Sequence, residues 1–128
     1  MPVAFDWESC DILRVKYYGL IDGDDAVAAS LAMSADPRVD DLIGIIIDTL
    51  ELTENTAQIE HVEKLVAISK SMALSNPRIR NALVINHDEN TSGLAALYTF
   101  LAEELVWEVE MFADLESARE WVFAVRNH

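Results

Sequence analysis

Leu42-Ile43-Gly44-Ile45-Ile46-Ile47 is a continuous apolar run in which most side chains are β-branched. Because no polar residues alternate with the apolar ones, the run predicts a strand that is covered on both faces, as central strands of parallel sheets are. A second run of the same kind, Ala82-Leu83-Val84-Ile85, follows later in the chain. Together the two runs predict a largely parallel sheet at the centre of an α/β domain.

The segment that precedes the first run predicts a β-hairpin and a helix. Residues 3–8 and 12–18 alternate apolar and polar side chains on either side of a short turn at residues 9–11. Gly19 is predicted to end the second strand, and Asp24 to cap a helix that covers residues 25–35. The polar residues 48–55, which follow the first run, are predicted to be irregular.

Three further helices and an edge strand are predicted in the rest of the chain. One helix covers residues 56–74 with Asn55 or Thr56 as its N-cap, one covers residues 94–105, and the last follows Asp114. Residues 107–112 predict a short edge strand, because alternating glutamates discourage pairing with another sheet. The result is a single α/β domain over residues 1–128, with a mixed, mostly parallel sheet of about five strands and four helices.

Composition and charge exclude several classes of protein. Twenty-three Asp and Glu against nine Lys and Arg give a formal net charge of −14, which repels phosphate backbones and anionic membrane surfaces. Cys10 is the only cysteine, so no internal disulfide is possible. No segment approaches the roughly 20 apolar residues of a membrane helix, and no signal peptide is recognisable. We therefore expect a cytoplasmic protein without membrane insertion and without a nucleic-acid partner.

Ligands of open α/β sheets bind beyond the carboxyl ends of the parallel strands, where residues 19–24, 48–56 and 86–93 are predicted to meet. These loops contain no Walker or dinucleotide motif, and the histidines lie at spacings that are not those of a metal site. We therefore expect no cofactor and no metal. The candidates for binding a partner or a ligand are the polar residues Asp48, Thr53, Asn55, Thr56, His87 and Ser92.

Catalysis is the alternative function. Asp48 follows a central strand and could be desolvated enough to act as a general base, whereas Ser92 has no nucleophile-elbow motif around it. The alternative is thus a small hydrolase or isomerase that uses Asp48 or His87, and no catalytic residue is assigned in the favoured, non-enzymatic interpretation. A third possibility, carriage of a small apolar ligand, requires an apolar cavity between a helix and the sheet.

Several segments of the sequence resemble a known family. A strand followed by Gly19 and an acidic helix start, and then Ile45-Ile46-Ile47-Asp48, is similar to the STAS domain of bacterial anti-sigma-factor antagonists. The strand that begins at Arg80 and the closing segment 109–121 resemble its SpoIIAA-like (STAS/SEC14-type) branch. The resemblance implies helices largely on one face of the sheet and a regulatory, interaction or small-ligand-binding role. The Asp-Ser-Ser-Gly phosphoacceptor of that family is absent, and Thr53 or Thr56 would have to supply the hydroxyl.

Helices on one face would leave the other face of two strongly apolar strands exposed to solvent. The opening strand, the segment around Trp107 or a second subunit could cover it. On this argument we predict a homodimer.

Overall fold

The strands form one mixed sheet whose order, β1-β2-β3-β4-β5, follows the sequence. A computed structural model describes residues 2–86 and 88–124 of the chain. The strands are β1 (Val3–Ser9), β2 (Ile12–Ile21), β3 (Gly44–Asn55), β4 (Arg80–Val84) and β5 (Glu108–Phe112). The helices are α1 (Gly23–Ser34), α2 (Ile59–Ser75), α3 (Glu89–Leu101) and α4 (Leu115–Phe123), with 3₁₀ turns at Pro37–Asp41 and Ala102–Glu104. The β1–β2 pair is antiparallel and the other pairs are parallel, so the predicted fold class and element order are confirmed.

Two strands extend further than the sequence predicted. β2 continues through Gly19 to Ile21, and β3 continues to Asn55 across the segment that was predicted to be irregular. Pairing between the two strands uses the backbone, so the polar side chains at the end of β3 do not prevent it. Gly19 has φ of 68° and lies at a register shift, which means that the glycine marks a bulge and not the end of the strand.

Asp114 caps α4 as predicted, but the first two helices begin at other residues than predicted. Asp22, not Asp24, caps α1, because its side chain accepts a hydrogen bond of 2.8 Å from the backbone N–H of Asp25. α2 begins after Gln58, so the prediction of Asn55 or Thr56 as its N-cap was wrong. Those two residues belong instead to β3 and to the short connection that follows it.

Both faces of the sheet are covered by helices. On one face, Leu13, Ile45 and Leu83 pack in clusters that involve α1, α2 and α3. On the opposite face, Ile12, Ile46, Ala82 and Val84 pack against Ala118 and Val122 of α4. We call these the three-helix face and the α4 face. The homodimer was predicted because the second face was expected to lack a helix; that premise is wrong, and the oligomeric state stays a prediction without it.

Gly44 explains how closely α4 approaches the sheet. A Cβ atom at this position would lie 2.0 Å from Cγ1 of Val122, which is far shorter than any van der Waals contact. The glycine in the central apolar run therefore makes room for the helix that covers it. Val122 is completely buried as a result.

Candidate functional site

The five residues of the predicted binding site that the structure describes do not converge on one point. Asp48 pairs in the sheet with Lys16 and Val84 and lies on the α4 face. Its carboxylate accepts hydrogen bonds of 3.0 Å from Nε of Arg14 and from the backbone N–H of Leu50. His87 lies outside the residues that the structure describes. Asp48 is therefore separated by the sheet from any site on the three-helix face.

Asp48 is part of a charged network on the α4 face. Glu8 of β1 accepts two hydrogen bonds from Arg119 of α4, one of them 3.0 Å from Nε, and lies 3.9 Å from Arg14. The hydrogen bond to Glu8 raises the pKa of Arg119, which stays charged. Arg14 thus joins Asp48 to Glu8, and Glu8 joins β1 to α4. Asp48 and Arg14 therefore form a structural ion pair on this face.

The other predicted residues cap local structure at the end of β3 and the start of α3. Asn55 accepts a hydrogen bond of 3.0 Å from the N–H of Ala57 and donates one of 3.4 Å to Thr91. Thr56 donates to the carbonyl of Ile21, and Ser92 to that of Asn86. Thr53 is exposed on β3. Of the five described residues, only Asn55 reaches the feature described next.

A cavity of about 110 Å³ lies between the sheet and the helices of the three-helix face. Its base is formed by β2, β3 and β4, and its walls by α1, α2 and α3; the apolar walls include Ala26, Leu65 and Ala95. Ile47 lies in the central strand and is only half-buried, whereas its neighbours Ile45 and Ile46 are fully buried. Ile45 and Ile47 both line the cavity.

The polar groups of the cavity carry no charge. The lining contains Ser, Thr, Asn and Tyr side chains, and no Asp, Glu, Lys, Arg or His among the residues that are described. Burial raises the pKa of both lining tyrosines, Tyr17 and Tyr98, so both phenols are neutral at physiological pH. The cavity thus offers an apolar interior with neutral hydrogen-bonding groups, which is the usual composition of a small-molecule site.

Three of these polar side chains form a chain of hydrogen bonds from α2 to the sheet. The hydroxyl groups of Ser69 and Tyr98 lie 2.6 Å apart, and Nδ2 of Asn81 donates to the Tyr98 hydroxyl at 3.1 Å. Oδ1 of Asn81 is buried and accepts no hydrogen bond from the described residues. An acceptor of this kind in a native core requires an explanation.

The sequence signal for the cavity was not used in the prediction of the site. Asn81 is a polar residue inside a short apolar strand, and small residues such as Ser69 and Ala95 occupy the inner faces of two helices. Because Asn81 on the sheet and the small side chains on the helices face each other, space is left between the sheet and the helices. The prediction instead followed the ends of the strands, where polar residues are common in any case.

Comparison with known proteins decides the fold family. No protein-family model and no curated protein matches the chain. Bacillus SpoIIAA in its phosphorylated form matches with a TM-score of 0.59 and 12% identity over 94% of this chain and 98% of that one. The chain has the SpoIIAA-like fold. The anti-sigma factor antagonist SpoIIAA in its unphosphorylated form also matches, with a TM-score of 0.57 and 12% identity over 98% of this chain and 97% of that one.

A third SpoIIAA-like structure is an uncharacterised protein of the DUF3478 family from Shewanella loihica. It matches with a TM-score of 0.56 and 15% identity over 94% of this chain and 91% of that one. The predicted SpoIIAA-like fold is thereby confirmed. At these identities the likeness establishes the fold alone, because one fold hosts many functions.

Residues 2–86 and 88–124 contain neither a membrane-spanning helix nor a cluster of metal ligands. No helix there has the length and apolar character needed to cross a membrane. No group of three or more His, Cys, Asp or Glu side chains there is placed to hold a metal ion.

Proposed function

We propose that this chain is a non-enzymatic, small-ligand-binding domain with the SpoIIAA-like fold, and that its ligand occupies the cavity on the three-helix face. The observation that carries the proposal is the cavity of about 110 Å³ with an apolar, uncharged lining. Protein interiors are close-packed and contain few voids larger than a water molecule. A cavity of this volume is therefore a feature that the fold maintains.

The energetics support the same conclusion. The cavity is partly open to solvent, so its apolar lining is left in contact with water, and burying apolar surface contributes about 25 cal/mol per Å². Lengthening a side chain such as Ala95 would bury part of this surface, and a binding function explains why the small residue is kept.

The alternative, a small hydrolase or isomerase, has less support. Asp48 lies on the α4 face, in an ion pair with Arg14, and does not line the cavity. A general base must lie within hydrogen-bonding reach of the substrate atom that it deprotonates.

A regulatory output through a protein partner is supported only by likeness of fold. The compared SpoIIAA structures are those of an anti-sigma factor antagonist in its unphosphorylated form and of a Bacillus cell fate determinant in its phosphorylated form. Thr53 and Thr56 are exposed and accessible to a kinase, but phosphorylation of either stays a prediction. A cytoplasmic location and the absence of a nucleic-acid partner likewise stay predictions from composition.

Two alanines on α3 give a matched test. Ala95 lines the cavity, whereas the adjacent Ala96 is exposed and does not line it. We expect Ala95→Leu to fill part of the cavity and to weaken the binding of phenol or benzene at least about tenfold, and we expect Ala96→Leu to leave binding unchanged. Calorimetric titration of the wild type and both variants measures this. Equal affinity in all three proteins, or no binding to the wild type, would contradict the proposal.

A further inference from the structure

The side chain of Asn81 carries information about which ligand the cavity takes. Asn81 is only 4% exposed and lines the cavity. Its Nδ2 atom is used in the hydrogen bond to Tyr98, and Tyr98 is held in turn by Ser69. In this orientation of the Asn81 carboxamide, Nδ2 points toward Tyr98. Its Oδ1 atom accepts nothing from the described protein groups.

We infer that the ligand is a small neutral alcohol or phenol whose hydroxyl group donates a hydrogen bond to Oδ1 of Asn81. The inference rests on the proposed ligand-binding function and deepens it by naming the chemical class. A carbonyl oxygen inside an apolar site selects for a donor, because a buried acceptor without a partner is costly and a ligand hydroxyl removes that cost.

The uncharged lining excludes charged ligands. No described lining residue is acidic or basic, so neither an ammonium nor a carboxylate ligand would find a counter-ion in the cavity. The protein as a whole carries a net charge of −14, which adds repulsion for an anion. A neutral O–H group needs no counter-ion and is not repelled by the net charge.

The volume of the cavity indicates the size of the ligand. An engineered core cavity of about 150 Å³ binds benzene, and the cavity of this chain is somewhat smaller at about 110 Å³. A ligand part of one aromatic ring or a short branched alkyl chain, with one hydroxyl group, matches a volume of this order.

Binding of phenol, benzene and anisole to the wild-type protein tests the inference. The three probes share a ring, but only phenol carries a donor, and anisole keeps the oxygen without the proton. In a cavity without an acceptor, phenol would bind more weakly than benzene, because its hydroxyl would lose its hydrogen bonds to water. With Oδ1 of Asn81 as acceptor, we expect phenol to bind about tenfold more tightly than benzene, a difference of about 1.4 kcal/mol.

The variant Asn81→Leu removes the acceptor, and we expect it to abolish the preference for phenol while benzene still binds. Asn81→Val serves the same purpose if the leucine variant does not fold. Equal affinities of the wild type for phenol and benzene would overturn the inference and indicate that only water meets Oδ1, while the proposed function would stand. A preference for phenol that survives in the variant would also overturn it. Binding of none of the three probes would instead refute the proposed function.

Discussion

Asn76 and Asn81 are both buried, and we predict that replacing each of them with leucine changes stability in opposite directions. Asn76 is 1% exposed and is fully used: Nδ2 donates to the carbonyls of Val39 and Leu42 at 2.9 and 2.8 Å. Its Oδ1 accepts from the N–H of Arg78 at 3.3 Å. Asn81 is used on one side only, since Nδ2 binds Tyr98 while Oδ1 has no donor among the described residues.

The magnitudes follow from this difference. Asn76→Leu loses three hydrogen bonds worth about 1 kcal/mol each. The carbonyl of Val39 keeps its hydrogen bond from the N–H of Leu42, but the carbonyl of Leu42 loses its side-chain donor, so we expect a loss of about 3–5 kcal/mol. Asn81→Leu loses one hydrogen bond of about 1 kcal/mol but removes an unpaired acceptor that costs about 1–3 kcal/mol. Tyr98 keeps its hydrogen bond to Ser69. The net expectation for Asn81→Leu is a change between about zero and a gain of 2 kcal/mol.

Urea unfolding followed by tryptophan fluorescence measures both variants. Unchanged m-values are required before the midpoints are converted to free energies. A stabilised Asn81→Leu protein that no longer prefers phenol would show that the asparagine is kept for binding at the expense of stability. If Asn81→Leu is destabilised as strongly as Asn76→Leu, Oδ1 has a structural partner, and the reasoning from an unpaired acceptor is refuted.

The remaining predictions concern the α4 face, a helix cap and a buried phenol. Gly44→Ala places a Cβ 2.0 Å from Cγ1 of Val122 and is expected to lower the free energy of unfolding by about 1–3 kcal/mol. In a Val122→Ala background this loss should be smaller. Additive effects of the two substitutions on the urea midpoint would contradict the contact. Hydrogen bonds from the backbone N–H and hydroxyl of Ser117 lower the pKa of Asp114 in the folded protein below its ordinary value of 3.8. The stability that Asp114 contributes is therefore fully present above pH 3.8 and is lost as pH falls through the lowered pKa. Asp114→Asn should remove this acid sensitivity. An unchanged pH profile of the urea midpoint in the variant would refute the prediction. Burial raises the pKa of Tyr17 above 10.0, so the stability that it contributes is present below pH 10.0 and is lost as pH rises above it; Tyr17→Phe should reduce this alkaline loss, and equal losses in wild type and variant would refute it.

The sequence predicted the fold because its strongest pattern, the run from Leu42 to Ile47, is also the feature with the largest energetic consequence. A strand that is apolar on both faces requires cover on both faces, and the alternation of strands and helices then restricts the topology. The pattern did not reveal which helices cover which face of the sheet. A Cβ added to Gly44 would lie 2.0 Å from Cγ1 of Val122, although the two residues are far apart in the sequence. Hydrophobic periodicity does not report contacts between residues that are far apart in the sequence.

The residues predicted as a site follow the ends of the strands, whereas the cavity proposed as the site lies on the three-helix face. Asp48 and Thr49 are neighbours in β3, yet Asp48 lies on the α4 face while Thr49 lines the cavity on the other. Neighbouring strand residues point to opposite faces, so a rule about strand ends selects both. Asn81 was not considered, because a single polar residue in an apolar strand has significance only when the space opposite it is known.

The central claim is that the cavity on the three-helix face binds a small neutral ligand, and a heteronuclear NMR titration with phenol tests it most directly. We expect saturable shifts of amide resonances from residues that line the cavity, such as Ile47, Asn81 and Ala95. These shifts should be lost in Ala95→Leu and retained in Ala96→Leu. Shifts that do not saturate, or that arise away from the cavity, would contradict the claim.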